Sequence, residues 1–162
     1  METKTVRKVF AVWDFDKEEE WLNSMAQEGW ALKKVGFCKY VFERTEPGEY
    51  IIRLEMHEYE KEYISFMRDT GAEYVGRVLQ WLYFRKKAEL GEFELFSDID
   101  SRINHLKNIG WTLLLIGGAN VIIGLTTSLG YINLLCAVVM AYGLGRVHGK
   151  KEALERERRI RE

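Results

Sequence analysis

The side chains that could carry out chemistry are few and lie far apart along the chain. The three histidines are His57, His105 and His148, and none has a carboxylate at a ligand spacing that forms a known metal pattern. The two cysteines, Cys38 and Cys136, cannot form a disulfide framework and indicate a reducing compartment. The sequence therefore predicts no metal site.

Three consecutive glutamates, Glu18, Glu19 and Glu20, could in principle supply a general acid and a general base. They come just after Asp16, which we expect to cap a helix, and carboxylates in a first helical turn are favoured by the helix dipole. We therefore interpret them as a helix start. The chain also has no glycine-rich loop that could cradle a phosphate group. No enzyme activity and no cofactor are expected.

The composition is that of a folded protein without a preference for nucleic acid. Of the 162 residues, 47% are apolar and 30% are charged, which argues against disorder. The 24 basic and 25 acidic side chains give a net charge of −1, whereas dedicated nucleic-acid binders are normally basic. The length allows one domain, or one small domain with an additional segment.

Residues 7–87 alternate between strand signals and helix signals. Two apolar helical faces are followed by Gly29 and Gly71, which are typical helix ends. The turn signal Glu46-Pro47-Gly48 lies between two strand-like runs, so these runs are predicted to pair as a hairpin. The predicted elements are strand Val9–Phe15, a helix over 16–29, strands Phe37–Glu43 and Glu49–His57, a helix over Tyr59–Thr70, and strand Gln80–Lys86.

An internal repeat at an offset of 42 residues supports this pattern. The identical pairs are Glu18 and Glu60, Glu20 and Glu62, Met25 and Met67, Gly29 and Gly71, and Phe42 and Phe84. Two βαβ units in tandem give the ferredoxin-like βαββαβ arrangement, in which an antiparallel sheet carries both helices on one face. The predicted fold class is α+β, with a ferredoxin-like domain over residues 1–90.

The strand alternation assigns one face of this sheet to the helices and leaves the other face open. The residues expected to face the helices are Phe10, Val12, Tyr40, Phe42, Ile52, Leu54, Leu82 and Phe84. The open face is rich in aromatic and basic side chains, which is typical of contact surfaces. Two interpretations stay open: contact with a partner chain, or cover by the connector over 88–98 or by a membrane-proximal helix. The residues that we predict to contact a partner are Trp13, Arg53, Trp81, Tyr83 and Arg85.

The C-terminal part of the chain has a different composition. From Asn108 to Gly145 it contains no Asp, Glu, Lys or Arg. A membrane span needs about 20 apolar residues, so this run is long enough for two short spans. We predict spans at about 109–125 and 131–147, joined by the turn signals in 126–130. The alternative is a buried helical hairpin of a soluble protein, which the rest of the chain could hardly cover.

The flanks of the two spans predict their orientation. Arg102 and Lys107 precede the first span, Arg146 and Lys150 follow the second, and the connecting turn is uncharged. Because positive flanks stay on the cytoplasmic side, both termini are predicted to be cytoplasmic. Residues 91–108 are then a connector and a juxtamembrane helix, 109–147 a two-span hairpin, and 148–162 a charged cytoplasmic helical tail.

Small residues recur on the predicted spans, and one amide, Asn120, lies well inside the first span. Small residues let helices approach closely, and a buried amide in lipid usually bonds to another helix. The spans contain no carboxylate, histidine or lysine, so we expect neither a channel nor a pump. Cys136 is expected to face lipid and Cys38 the sheet core, so neither is an expected nucleophile. The residues predicted to pack the helices are Gly117, Asn120, Gly124, Ala137 and Ala141.

Five ordered motifs over roughly residues 8–110 resemble an uncharacterised family of bacterial membrane proteins, found mostly in Firmicutes. The motifs are DFDKEEEWLNSMAQEGWAL, KYVFERTEPGEYIIRLE, FMRDTGAEY, WLYFRKK and FELFSDIDSRI. Members of that family are often encoded beside PadR-type transcription regulators. The resemblance implies a protein of the bacterial cell membrane that acts with such a regulator, and it implies no catalytic residue.

Together these observations favour a non-enzymatic, membrane-anchored regulatory or scaffold protein. Its cytoplasmic domain would bind a protein partner, either a second copy of the chain or a PadR-type transcription regulator. The alternative is a membrane-tethered sensor of a small ligand. An RNA-binding sheet with the same strand order is disfavoured, because the open face includes Glu43 and Glu55 and the expected aromatic–glycine signature is absent. Direct contact with nucleic acid is not expected.

Overall fold

The computed structural model describes residues 2–95, 99–127 and 130–161. The chain divides into two compact units, Met1–Leu95 and Phe96–Glu162. The predicted α+β class, followed by two long apolar helices, is confirmed. Residues 96–98 of the predicted connector, 128–129 of the predicted turn and 162 of the predicted tail lie outside the described residues.

The described part of the first unit contains two copies of a strand–helix–strand–strand repeat. The first repeat comprises β1 (Thr3–Arg7), α1 (Phe15–Gln27), β2 (Trp30–Gly36) and β3 (Lys39–Arg44). The second comprises β4 (Tyr50–Met56), α2 (Lys61–Asp69), β5 (Ala72–Val78) and β6 (Trp81–Lys87). Short 3₁₀ turns at Val12–Asp14 and Ala88–Leu90 precede α1 and follow β6.

Each repeat forms its own three-stranded antiparallel sheet. The strand orders are β1-β3-β2 and β4-β6-β5, so the last strand of each repeat is the central one. The register of β2 shifts between Leu32 and Lys34, and that of β5 shifts at the equivalent position, between Tyr74 and Gly76. The helices end at Gly29 and Gly71, whose φ angles of 82° and 85° favour glycine. The predicted offset of 42 residues is therefore confirmed from the helices onward.

The strand content differs from the predicted βαβ unit. Strand β1 lies earlier than expected, in an exposed and mostly polar segment, while 12–14 forms a 3₁₀ turn. Strands β2 and β5 were not predicted, because the shifts in register break their alternation of apolar and polar residues. The predicted hairpin around Pro47 is wrong: β3 pairs with β1 and β2, and β4 pairs with β6. That turn instead joins the two repeats.

Most residues that were assigned to the helix-facing side are buried. Six of them are at most 4% exposed: Tyr40, Phe42, Ile52, Leu54, Leu82 and Phe84. Leu82 and Phe84 pack with Ile64 and Met67 of α2 and with Phe93, which lies beyond β6. The predicted burial of these six residues is confirmed, but β6 shows no alternation, since Trp81, Leu82, Tyr83 and Phe84 are all buried.

Helix α1 of the first repeat hydrogen-bonds to the edge strand of the second sheet. The Asn23 amide donates to Ile52 O at 2.8 Å and accepts from Ile52 N at 2.9 Å. Leu54 N donates to Glu19 Oε2 at 3.1 Å. The helix thereby satisfies backbone groups of β4 that have no strand partner on that side. The two repeats form one packed unit.

The second unit consists of α3 (Ile99–Thr126) and α4 (Tyr131–Arg161), both long and apolar enough to cross a membrane. The most apolar stretches of these helices are only 17% and 11% buried. Leu125, Leu135 and Val138 are 74%, 66% and 66% exposed. A core helix of a soluble protein would bury such side chains, so this surface matches a lipid environment better than an aqueous one.

Glycines of α3 face α4 at close range. A Cβ atom added to Gly117 would lie 3.2 Å from Met140 Cβ, and one added to Gly124 would lie 2.7 Å from Leu134. Ala137 is half-buried, whereas Ala141 is exposed and does not pack the pair as predicted. Asn120 also differs from the prediction: its amide donates to Ile116 O of its own helix at 2.8 Å. The α4 side chains nearest to Gly110, Gly117 and Gly124 are instead those of Val147, Leu144, Met140 and Leu134.

Gly117 and Gly118 offer a matched test of this packing. We expect Gly117→Leu to separate α3 from α4, because the leucine would overlap Met140. Gly118→Leu should leave the pair intact, since no atom lies within 4 Å of an added Cβ there. Thermal melting of the purified full chain in detergent, followed through its helical signal, measures the difference. Equal melting of the two variants would contradict the assigned seam.

Candidate functional site

A cavity of about 100 Å³ lies at the turn end of both hairpins in the first unit. Part of its wall is the segment between β1 and α1, which Lys8 N anchors by donating to Cys38 O at 3.3 Å. The rest comes from the β2–β3 and β5–β6 turns and from residues near them. The side chains that define the site are Phe10, Phe15, Glu18, Tyr40, Trp81 and Tyr83.

Glu18 is a buried carboxylate in this cavity. It lies in the first turn of α1 and is 8% exposed. Tyr40 from β3 donates its hydroxyl to Glu18 Oε1 at 2.7 Å, and Tyr83 from β6 donates to the same oxygen at 2.6 Å. Burial, reinforced by Glu18, raises the pKa of both phenols well above the usual value of 10.0, so both remain donors at physiological pH. The two repeats thus converge on one oxygen atom.

Aromatic rings form much of the cavity wall. The Phe15 and Trp81 ring centroids are 5.3 Å apart, and Phe10 packs on Trp21, a ring of α1 that does not line the cavity, with centroids 5.6 Å apart. Lys8 Nζ lies 4.9 Å from the centroid of Phe10 and 4.5 Å from that of Trp21. At these distances the ammonium is attracted by the ring faces. The wall therefore combines apolar surface with ring faces that accept a cation.

Three apolar side chains project into solvent beside this cavity. Val9, Phe37 and Leu79 are 77%, 78% and 77% exposed, and we call them the apolar rim. Phe37 and Leu79 stand 42 residues apart, in equivalent hairpin turns of the two repeats. Exposed apolar clusters on a folded surface are typical of interaction sites. Phe37 and Leu79 thus lie in turns, whereas the residues predicted to contact a partner were placed on the strands.

The predicted open sheet face is not open. Trp81 is 8% exposed and Tyr83 is 4% exposed, and their neighbours Phe15 and Glu18 belong to the first repeat. Trp13 lies in a 3₁₀ turn, outside the sheet. The placement was wrong because the two repeats pack against each other. Partner contact by the five residues stays a prediction, now without the exposed face on which it rested.

Arg53 ties β4 to neighbouring segments of the first unit. Its Nε donates to Phe93 O at 2.8 Å, and its Nη1 lies 3.3 Å from Glu19 Oε1 of α1. A further ion pair to Glu94 has a separation of 3.6 Å. Arg53 therefore has a structural set of partners in the folded chain.

Arg85 joins the second sheet to the first repeat. Its Nη1 donates to Glu43 Oε1 at 2.8 Å and to Leu32 O at 3.1 Å, and its Nε donates to Glu73 Oε2 at 2.7 Å. The Arg85 and Glu43 side chains are only 15% and 10% exposed. The hydrogen bond from Arg85, helped by Lys33, holds the pKa of Glu43 below its usual 4.5. This is a largely buried charge pair that links the two sheets.

Acid should weaken the Glu43 link. The pKa of Glu43 is lower in the folded chain than in the unfolded chain. Its contribution to the free energy of unfolding is therefore complete above about pH 4.5, and it is lost as the pH falls through the pKa of the folded chain. We expect the free energy of unfolding to decrease below about pH 4.5, and Glu43→Gln to flatten that decrease. Urea unfolding of the full chain in detergent at several pH values measures it. Glu20→Gln is the exposed-carboxylate control, and an equal effect of both variants would contradict the assignment.

The other reactive side chains are dispersed. Cys38 occupies the β2–β3 turn with φ 52° and lines the cavity, so its expected place in the sheet core is wrong. Cys136 is exposed on α4, as a lipid-facing residue would be. His57 stacks on Tyr63 with centroids 4.2 Å apart. Within residues 2–95, 99–127 and 130–161, no group of three His, Cys, Asp or Glu side chains could hold a metal ion.

Sequence reasoning did not identify Glu18, Tyr40 and the 8–15 segment as parts of one site. Glu18 was correctly placed at a helix start, but its burial depends on β6 of the other repeat. Tyr40 was assigned to the core with no indication of its hydroxyl partner. The useful signal was the aromatic character of 10–15, three residues before Glu18, although it was interpreted as a strand.

A family model described as "Protein of unknown function (DUF2812)" matches residues 14–117. The match begins just before α1 and ends within α3. No curated protein and no solved structure matches the chain.

Proposed function

The chain belongs to the DUF2812 family, whose function is unknown, and we propose that it is a membrane-anchored, non-enzymatic sensor that binds a small molecule around Glu18. One observation carries the proposal: a buried carboxylate, held by phenols from both repeats, lies in an aromatic-lined cavity. Both phenols use Oε1, so a ligand donor can approach Oε2. Apolar pockets with a few convergent polar groups are the usual form of small-molecule sites.

A ligand in this cavity would act on the contact between the two repeats. Glu18 belongs to the first repeat and Tyr83 to the second, and Trp81 of the second packs on Phe15 of the first. Occupancy would therefore bias the arrangement of the hairpin turns that carry the apolar rim. A ligand shifts such an equilibrium only by its differential affinity for the two arrangements.

Three small aromatic molecules of matched shape test whether the cavity binds a ligand. The full chain in detergent is titrated with benzyl alcohol, benzoate and benzylammonium while the Trp81 indole signal is observed by NMR. We expect at least one of them to shift that signal with saturation. Ala11→Phe places a ring in the cavity and should abolish the shift. Because the variant is held in the same detergent, it also controls for uptake of the probes into the micelle. Non-saturating shifts that are identical in both proteins would refute the proposed site.

We further propose that the chain lies in the bacterial cell membrane with both termini in the cytoplasm. The basic flanks of the two apolar helices and the uncharged turn support this orientation. In a Cys38→Ser, Cys136→Ser background, an impermeant maleimide should label Thr127→Cys in intact cells and Arg159→Cys only after lysis. The reverse pattern would invert the orientation.

Protein-partner binding is the second candidate function, and the apolar rim favours it. The partner would be a PadR-type transcription regulator or a second copy of the chain, recruited near the membrane by the anchored unit. A photocrosslinking residue at position 37 should capture that partner in cells, whereas one at Glu20 on the surface of α1 should not. Capture of neither a regulator nor a second copy at position 37 would remove this candidate.

A further inference from the structure

We infer that the cavity around Glu18 takes an organic cation, an ammonium group carried on a compact apolar arm. The inference rests on the proposed small-molecule site and assigns its ligand to a chemical class. Three features of the cavity carry it: the balance of charge at Glu18, the aromatic wall, and the available volume.

The charge of Glu18 is balanced differently from that of two neighbouring carboxylates. Glu43 pairs with Arg85, and Glu19 pairs with Arg53. Among the described residues, Glu18 accepts hydrogen bonds from the neutral hydroxyls of Tyr40 and Tyr83. Buried charges are normally paired, because a carboxylate loses its hydration when it is buried. The ammonium of Lys8, which also lines the cavity, lies over Phe10 and Trp21, so a ligand cation would supply a counter-charge at Glu18 itself.

The aromatic wall suits the same ligand class. The ammonium of Lys8 already lies over the rings of Phe10 and Trp21, which shows that ring faces at this site attract a positive charge. Of the described residues lining the cavity, Lys8 and Glu18 are the charged ones. Glu18 is buried, whereas Lys8 is exposed. An anion that entered the cavity would therefore meet a carboxylate.

The volume limits the size of the ligand. The cavity measures about 100 Å³. An engineered apolar cavity of about 150 Å³ holds one benzene molecule, so this site has room for a single small ring or a short alkyl group, extending toward its mouth. Benzylammonium and its neutral and anionic counterparts are therefore suitable probes, since they differ mainly in charge.

The deciding experiment compares these three probes on the full chain in detergent by calorimetric titration. We expect benzylammonium to bind at least ten-fold more tightly than benzyl alcohol, and benzoate to bind most weakly. Glu18→Gln keeps an acceptor for both phenols but removes the charge. It should weaken benzylammonium at least ten-fold and leave benzyl alcohol unchanged.

Glu55→Gln is the matched control. Glu55 is 9% exposed and accepts a hydrogen bond from Tyr63 at 2.5 Å, so it reproduces the carboxylate–phenol pair outside the cavity. This substitution should leave all three affinities unchanged. If Glu18→Gln is unfolded at the titration temperature, the ranking of the three probes on the unsubstituted chain decides the inference.

The outcomes separate this inference from the proposed function. Binding of benzyl alcohol or benzoate as tight as that of benzylammonium would overturn the cation assignment and leave a small-molecule site. Saturable binding of none of the three would overturn both. A loss of benzylammonium affinity in Glu55→Gln equal to that in Glu18→Gln would also overturn the assignment to this cavity.

Discussion

Trp81→Ala is expected to lower the free energy of unfolding of the first unit by about 3–5 kcal/mol, the range for deletion of a buried tryptophan or phenylalanine ring. Trp81 is 8% exposed and its ring lies 5.3 Å from that of Phe15, so its removal leaves a void between the two repeats. Urea unfolding of the full chain in detergent, followed by far-ultraviolet circular dichroism, measures the loss.

Leu79→Ala is the control for Trp81. Leu79 is 77% exposed two residues before Trp81, and its truncation should change stability by no more than about 0.5 kcal/mol. Self-association of both variants is measured in the same samples. If Trp81→Ala weakened association and left unfolding unchanged, Trp81 would be the interface residue that its sequence pattern predicted.

Arg85→Met has the second large expected effect, a loss of about 3–5 kcal/mol in the free energy of unfolding. The substitution leaves Glu43, whose side chain is 10% exposed, with the more exposed Lys33 as its remaining cationic partner at 3.0 Å, and it removes the donor to Leu32 O. Methionine retains much of the apolar stem, so the loss comes mainly from the charge and the hydrogen bonds. Chemical unfolding at neutral pH measures it.

The double variant Arg85→Met, Glu43→Gln isolates the charge. Removing both partners also removes the largely buried carboxylate that has lost its Arg85 hydrogen bond, so the double variant should be more stable than Arg85→Met alone. Lys87→Met, on an exposed side chain two residues later, should have little effect. If the double variant is no more stable than Arg85→Met, the loss of stability in Arg85→Met does not come from the charge of Glu43.

The sequence carried the signals that are local to the chain. The helix ends before Gly29 and Gly71 and the 42-residue offset were predictable. A glycine after an apolar helical face commonly adopts the left-handed conformation that terminates a helix. The two C-terminal helices were predictable from the uncharged run alone. The burial of the six predicted core residues on the strands followed from period 2, whereas β6 is buried on both faces.

The remaining features depend on contacts between distant segments. The bulges in β2 and β5 removed the alternation that would have identified these strands. Because strands β2 and β5 were not predicted, the face carrying Trp81, Tyr83 and Arg85 had no predicted neighbour and was interpreted as solvent-exposed. Glu18 is the clearest case, since its two hydroxyl partners come from positions 22 and 65 residues away. No local sequence pattern predicts a contact between residues so far apart in the chain.

The two βαββ repeats pack against each other within one polypeptide. Fusion makes their association independent of protein concentration. It also releases the halves from identity: Glu18 is buried beneath two phenols, whereas its counterpart Glu60 is an exposed residue at the start of α2. The two repeats are therefore not equivalent at this position. The expected stoichiometry is therefore one ligand per polypeptide.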